Sequence, residues 1–129
     1  MMSNKEFREQ FKKRLFAFSL RLVRYARELP WQDPVLKVAR DQVIRSGTSM
    51  GANYFESIAG SSKRDFANFN SYSLKSANET VFWLSLLEEY LVEPSAELSW
   101  LIKETGELAR IFGSIVVTSK DEKKEKDQE

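Results

Sequence analysis

The sequence predicts an all-α protein, an antiparallel up-down-up-down four-helix bundle, and three observations carry that prediction. Apolar residues recur at spacings of three and four through four long segments, the period of one helix face. Pro30, Pro34, Gly60 and Pro94 fall at the boundaries between those segments. No useful stretch alternates apolar and polar residues with the period of two that a half-buried strand requires, and the connections are short enough to make sequential helices antiparallel neighbours.

The first helix carries Phe7, Phe11, Leu15, Phe18, Leu22, Tyr25 and Leu29 on one face and stops near Leu29, because Pro30 disfavours helical geometry in the residue before it. Asp33 then supplies an N-cap acceptor, with Pro34 at the first helical position where its missing N–H costs nothing. The second helix runs to about Ile58 with Leu36, Ala39, Val43, Gly47, Met50 and Tyr54 inward, and Gly60 ends it. Ser62 caps the third, with Asp65 placed for a capping box. Its inward face is Phe66, Phe69, Ser73, Ala77, Thr80, Leu84, Leu87 and Leu91. After Pro94 and Ser95 the fourth helix repeats Leu98, Leu101, Thr105, Leu108, Phe112 and Ile115 in strict heptad alternation. Residues 1–119 are thus expected as one bundle domain, and residues 120–129, which contain no apolar side chain, as a charged disordered tail.

Composition removes several functions. The chain contains no cysteine and no histidine, which excludes thiolate chemistry, cysteine metal sites and the commonest general base. Di-iron bundles need Glu-x-x-His pairs, so that chemistry is excluded too, and no cofactor is expected. No run of about 18 apolar residues exists and the N-terminus lacks a signal-peptide core, so a cytoplasmic protein without a membrane partner is expected.

Net charge is +1, but residues 1–64 hold 13 Lys/Arg against 6 Asp/Glu while residues 65–129 hold 7 against 13. One reading is attraction between basic and acidic helices, within or between subunits; the other is a basic face for RNA or DNA. On the first helix Arg8, Lys12, Lys13, Arg14, Arg21, Arg24 and Arg27, with Lys5, are the candidate nucleic-acid contacts. Apolar residues remain after each helix has one seam. Phe16, Leu20 and Val23 on the first helix and Phe82 and Leu86 on the third are candidate oligomer contacts, flanked by Tyr72, Trp83 and Tyr90.

The second helix contains QVIRSGTSMGANYFES, rich in residues that disfavour helices. Gly47 and Gly51 fall near its core side, where small residues allow close approach of helix axes. Gln42, Arg45, Ser49, Asn53 and Glu56 form a polar stripe at spacings of 3, 4, 4 and 3. That stripe is either a solvated face or a network in which Arg45 donates to Glu56 or Glu79, with Ser49, Asn53 and Ser76 filling the remaining bonds. A catalytic carboxylate pair of Glu56 and Glu79 is the weaker alternative to a structural role.

The ordered string from Gln42 to Glu56, followed by Ser62-Lys63-Arg64-Asp65-Phe66 and Ser76-Ala77-Asn78-Glu79, resembles the bacterial four-helix-bundle family named for reading frames in 23S rRNA intervening sequences, also termed S23-like. The resemblance covers residues 5 to about 118. It departs where Tyr54-Phe55-Glu56-Ser57 replaces the family's apolar residue and Glu-Gly pair. It implies a homopentameric ring and no established catalytic activity. It also extends to the accessory variability determinant of diversity-generating retroelements, a basic pentamer that partners a reverse transcriptase and binds nucleic acid.

Overall fold

A computed structural model of the 129-residue chain describes residues 2–60 and 62–128, and side chains through residue 121. Four helices follow in order: α1 (Asn4–Arg27), α2 (Pro34–Ser57), α3 (Lys63–Tyr90) and α4 (Ala96–Gln128). The described residues contain no strand.

Each helix start has a side-chain acceptor for an orphan N–H. Ser3 accepts from Glu6 N at 3.1 Å, Asp33 from Val35 N and Leu36 N at 2.9 and 3.3 Å, Ser62 from Asp65 N at 3.1 Å, and Ser95 from Leu98 N at 3.1 Å. The Asp33 and Ser62 caps are the ones the sequence predicts. After α2 the chain turns through Gly60 at φ +91°, a left-handed conformation that favours glycine.

Contacts between particular residues set the directions. Phe11 meets Tyr54, and Leu22 lies against Gly47, so α1 and α2 are antiparallel. Ser73 bonds Met50 O while Tyr90 reaches Asp33, so α3 reverses α2. Phe11 packs on Phe112 and Arg21 pairs with Glu97, so α4 reverses α1. The sequence of directions is up, down, up, down, with α1 and α3 at diagonal corners.

The core follows the expected seams with small shifts. Phe11, Leu15, Phe18 and Leu22 of α1, all six predicted positions of α2, and Ala77, Leu84, Leu87, Leu98, Leu101, Leu108 and Phe112 are buried. Phe7 is exposed at the bundle end, stacked on Phe11 at 5.3 Å, and Ala26 takes an inward position in its helix. On α4, Val116 rather than Ile115 is the buried residue, because a straight 3.6-residue helix drifts away from a 3.5-residue repeat. The charged segment expected as a disordered tail continues the α4 backbone through Gln128. It has nothing apolar to bury, but Lys, Glu and Gln are good helix formers.

At Gly47 the Leu22 side chain of α1 packs directly onto the α2 backbone. A Cβ there would sit 2.7 and 2.8 Å from the Leu22 methyl carbons, whereas at Gly51 the nearest atom, Ser19 Oγ, is 3.5 Å away. Leu22 is fully buried and has little room to retreat. Gly47→Ala is therefore expected to destabilise by about 1–2 kcal/mol despite its gain in helix propensity. Gly51→Ala should stabilise by about 0.5–1 kcal/mol. Urea denaturation of both variants reads the difference, and equal effects would dismiss the close approach at Gly47.

Candidate functional site

Hydroxyls and amides, not apolar side chains, join much of α2 to α3. The Ser46 and Thr80 hydroxyls share a hydrogen bond at 2.9 Å, both fully buried, and Thr80 also donates to Ser76 O at 2.7 Å. Ser73 donates to Met50 O at 2.8 Å. Ser76 donates to Ser49 Oγ at 3.0 Å, and Asn53 Nδ2 donates to both Ser49 O and Ser49 Oγ at 2.9 Å. At the outer edge Arg45 pairs with Glu79 and donates to Gln42 Oε1 at 2.9 and 3.3 Å.

The predicted polar residues thus divide. Gln42, Arg45, Ser49, Asn53, Ser76 and Glu79 come together along the α2–α3 seam, with Ser49, Asn53 and Ser76 half-buried and Arg45 exposed. Arg45 takes Glu79 rather than Glu56 as its carboxylate partner. Eleven residues along one helix separate Arg45 and Glu56 by about 16 Å, too far for a shared ion pair. Glu56 is exposed near the other end of α2.

Ser46, the most deeply placed hydroxyl of α2, is absent from the predicted stripe. On the helix it sits about 40° from Met50's inward direction, and its only signal in the sequence is a polar residue facing the equally inward Thr80 and Ser73. Asn70 is also fully buried, donating to Phe66 O at 2.9 Å, while its Oδ1 has no partner among the described residues.

The charged residues of α1 are partly committed within the chain. Arg14 forks onto Glu104 at 2.6 and 2.9 Å and reaches Glu107 at 2.8 Å. Arg21 forks onto Glu97 at 2.5 and 3.1 Å, with its guanidinium carbon 3.6 Å from the Trp100 ring centre. Both arginines take part in the α1–α4 contact. The pairing holds both guanidinium pKa values above their ordinary range, chiefly through the hydrogen bonds to Glu104 and Glu97. Arg27 pairs with its neighbour Glu28 at 3.2 Å.

The remaining cations sit elsewhere. Lys5, Arg8 and Lys12 line a cleft of about 340 Å³ with Glu9, Phe55 and Ile58. Lys12 Nζ lies 5.0 Å from the Phe55 ring centre and Arg8 Cζ 5.6 Å from that of Phe66. Lys13 and Arg24 are exposed on the outer face of α1. A wider cleft of about 790 Å³ lies between the C-terminal end of α1 and the α3–α4 connection, lined by Arg24, Leu29, Leu91, Val92 and Tyr25. Burial raises the Tyr25 phenol pKa, and its hydroxyl has no partner among the described residues.

Of the candidate oligomer contacts, Phe16 is 65% exposed, Phe82 59%, Leu20 41% and Leu86 39%. Val23 is half-buried against the core. Phe82 meets the Trp83 ring edge-on at 5.2 Å.

A histidine-free, cysteine-free antiparallel four-helix bundle, with a hydroxyl seam between α2 and α3 and aromatic residues left on its outside, is the class these features define. Residues 8–114 match the family model described as 23S rRNA-intervening sequence protein, and the chain belongs to that family. A similar solved structure is the crystal structure of a protein of unknown function from the S23 ribosomal protein family of Bacteroides thetaiotaomicron. It is 30% identical, covers 81% of this chain and 96% of its own, and superposes with a TM-score of 0.72. No curated protein sequence matches the chain.

Two outcomes follow from the seam. Thr80→Val leaves the buried Ser46 hydroxyl without that partner and is expected to cost about 1–3 kcal/mol. The double variant with Ser46→Ala should cost less than the sum of the singles in a denaturation cycle. Tyr90 donates to Asp33 Oδ2 at 2.8 Å, which lowers the Asp33 pKa below its ordinary 3.8. A lowered pKa contributes stability that is present above the unfolded value and is lost as pH falls through the folded one. Tyr90→Phe should return the Asp33 carboxyl towards 3.8 in an NMR titration and narrow that acid-side loss.

Proposed function

We propose that the chain is a non-enzymatic, homo-oligomeric four-helix-bundle protein of the 23S rRNA-intervening-sequence family, working in the cytoplasm as a pentameric ring. The observation that carries this reading is the exposure of Phe16, Leu20, Phe82 and Leu86 on helices whose inward faces are already filled. Exposed apolar pairs of this kind, one on each of two diagonal helices, suit contacts with neighbouring copies. Among the described residues no group of three or more carboxylates converges as a metal site would need. No described helix is long and apolar enough to cross a membrane. The Arg45–Glu79 pair sits within a hydrogen-bonded seam, which supports a structural role for those charges. Sedimentation equilibrium at micromolar concentration is expected to return about 75 kDa, five times the 15.0 kDa chain. A 15.0 kDa species would overturn the proposal.

A second reading is nucleic-acid binding, and the observation in its favour is the grouping of Lys5, Arg8 and Lys12 around Phe55. Cations beside an exposed ring suit a single strand, whose phosphates take the charges while a base stacks. Repetition around a ring would multiply the phosphate contacts and steepen the salt dependence. Fluorescence anisotropy with single-stranded RNA and DNA at low salt should show binding that weakens roughly tenfold in a Lys5→Ala/Lys12→Ala variant. No binding at tens of micromolar, or an unchanged variant, would sink the reading.

A further inference from the structure

Two helices at diagonal corners carry outward faces that the fold leaves uncovered. On α1, Phe16 and Leu20 are four residues apart on one face, with Lys13 and Arg24 at the neighbouring positions of that face. On α3, Phe82 and Leu86 are likewise four apart, with Glu89 next on the same side. The charges around the two apolar pairs are opposite. Residues 4–27 contain Lys5, Arg8, Lys12, Lys13, Arg14, Arg21, Arg24 and Arg27 against only Glu6 and Glu9. Residues 75–93 contain Glu79, Glu88, Glu89 and Glu93 against Lys75, which stands about two turns before Phe82 on the same side.

Internal pairing does not cancel this contrast where the apolar residues lie. Arg14 and Arg21 turn to α4, on the far flank of α1, while Lys13 and Arg24 stay beside Phe16 and Leu20. Two α1 faces brought together would set mostly cations against cations, and two α3 faces mostly carboxylates against carboxylates, whereas pairing α1 with α3 joins apolar to apolar and net basic to net acidic.

We infer that a second copy of this chain seats its α3 face, centred on Phe82 and Leu86, on the α1 face centred on Phe16 and Leu20. The inference rests on the oligomeric reading above and specifies its contact. Such a contact is heterologous: each subunit uses one face for the copy ahead and the other for the copy behind, so the assembly closes into a ring or runs on as a filament.

The test mixes two full-length variants, Phe16→Glu/Leu20→Glu and Phe82→Glu/Leu86→Glu, each checked for an intact helical melt by circular dichroism. Sedimentation velocity is expected to show each variant alone as a 15.0 kDa monomer, and the mixture as a dimer of twice that mass, because each variant retains the face the other lacks. The altered faces are both acidic and cannot pair with each other. If the unaltered protein is itself monomeric, the oligomeric reading fails and this inference fails with it. If the unaltered protein assembles but either variant alone stays assembled, or the mixture stays monomeric, the α1-to-α3 contact is wrong while the oligomeric reading stands. An unaltered protein that stops at a dimer would point to an isologous contact and overturn the inference.

Discussion

The bundle depends on α2 being able to approach two neighbours at once. Towards α1 its backbone comes close enough for Leu22 to occupy the space a Cβ at Gly47 would need. Towards α3 it offers hydroxyls: Ser46 to Thr80, Ser49 to Ser76, and the Met50 carbonyl to Ser73. Large apolar side chains would hold those axes apart. The stretch from Gln42 to Ser57 therefore accepts weak helix propensity in exchange for contact. Hydrogen bonds of about 1 kcal/mol net each contribute modestly to stability, but a buried hydroxyl left unpaired would cost more, so the seam favours one pairing of α2 with α3.

The opposite side of the molecule is built differently. The backbones of α1 and α4 approach each other over a shorter length than the other neighbouring pairs. The gap is bridged by long side chains: Arg14 on Glu104 and Glu107, and Arg21 between Glu97 and the Trp100 ring. The basic character of α1 and the acidic character of α4 thus have an internal use. Exposed ion pairs of this kind are screened by salt and individually weak, so α1 is attached firmly along one flank and more loosely along the other.

How much of this was legible in the sequence differs by level. Helix number, order and most inward positions follow from apolar spacing and from the Pro and Gly boundaries, because burial of one stripe per helix dominates the fold. The polar stripe of α2 was legible as a pattern, yet its partners were not. Spacing along one helix says nothing about which carboxylate across the groove meets Arg45, and it pointed to Glu56 and Glu79 alike. Ser46 and Asn70 escaped because each stands next to a residue, Gly47 or Phe69, that the three-and-four spacing takes as the inward one. The exchange of Ile115 for Val116 reflects accumulated drift over several turns, too fine for a heptad rule. The fate of Arg14 and Arg21 required knowing that α4 lies alongside α1 with its glutamates in register. The outward apolar residues, in contrast, were visible as a surplus over what four seams consume, and among them Val23 and the flanking Trp83 turned partly inward.

The contact between Gly47 and Leu22 also settles a question of alignment. Antiparallel helices with repeating apolar stripes can in principle slide past each other by a heptad and still bury their seams. A slip of seven residues would set Leu22 against Arg40 or Tyr54, side chains far larger than the hydrogen at Gly47. The glycine is thus a notch that admits one leucine at one level, and it gives α1 and α2 a single register.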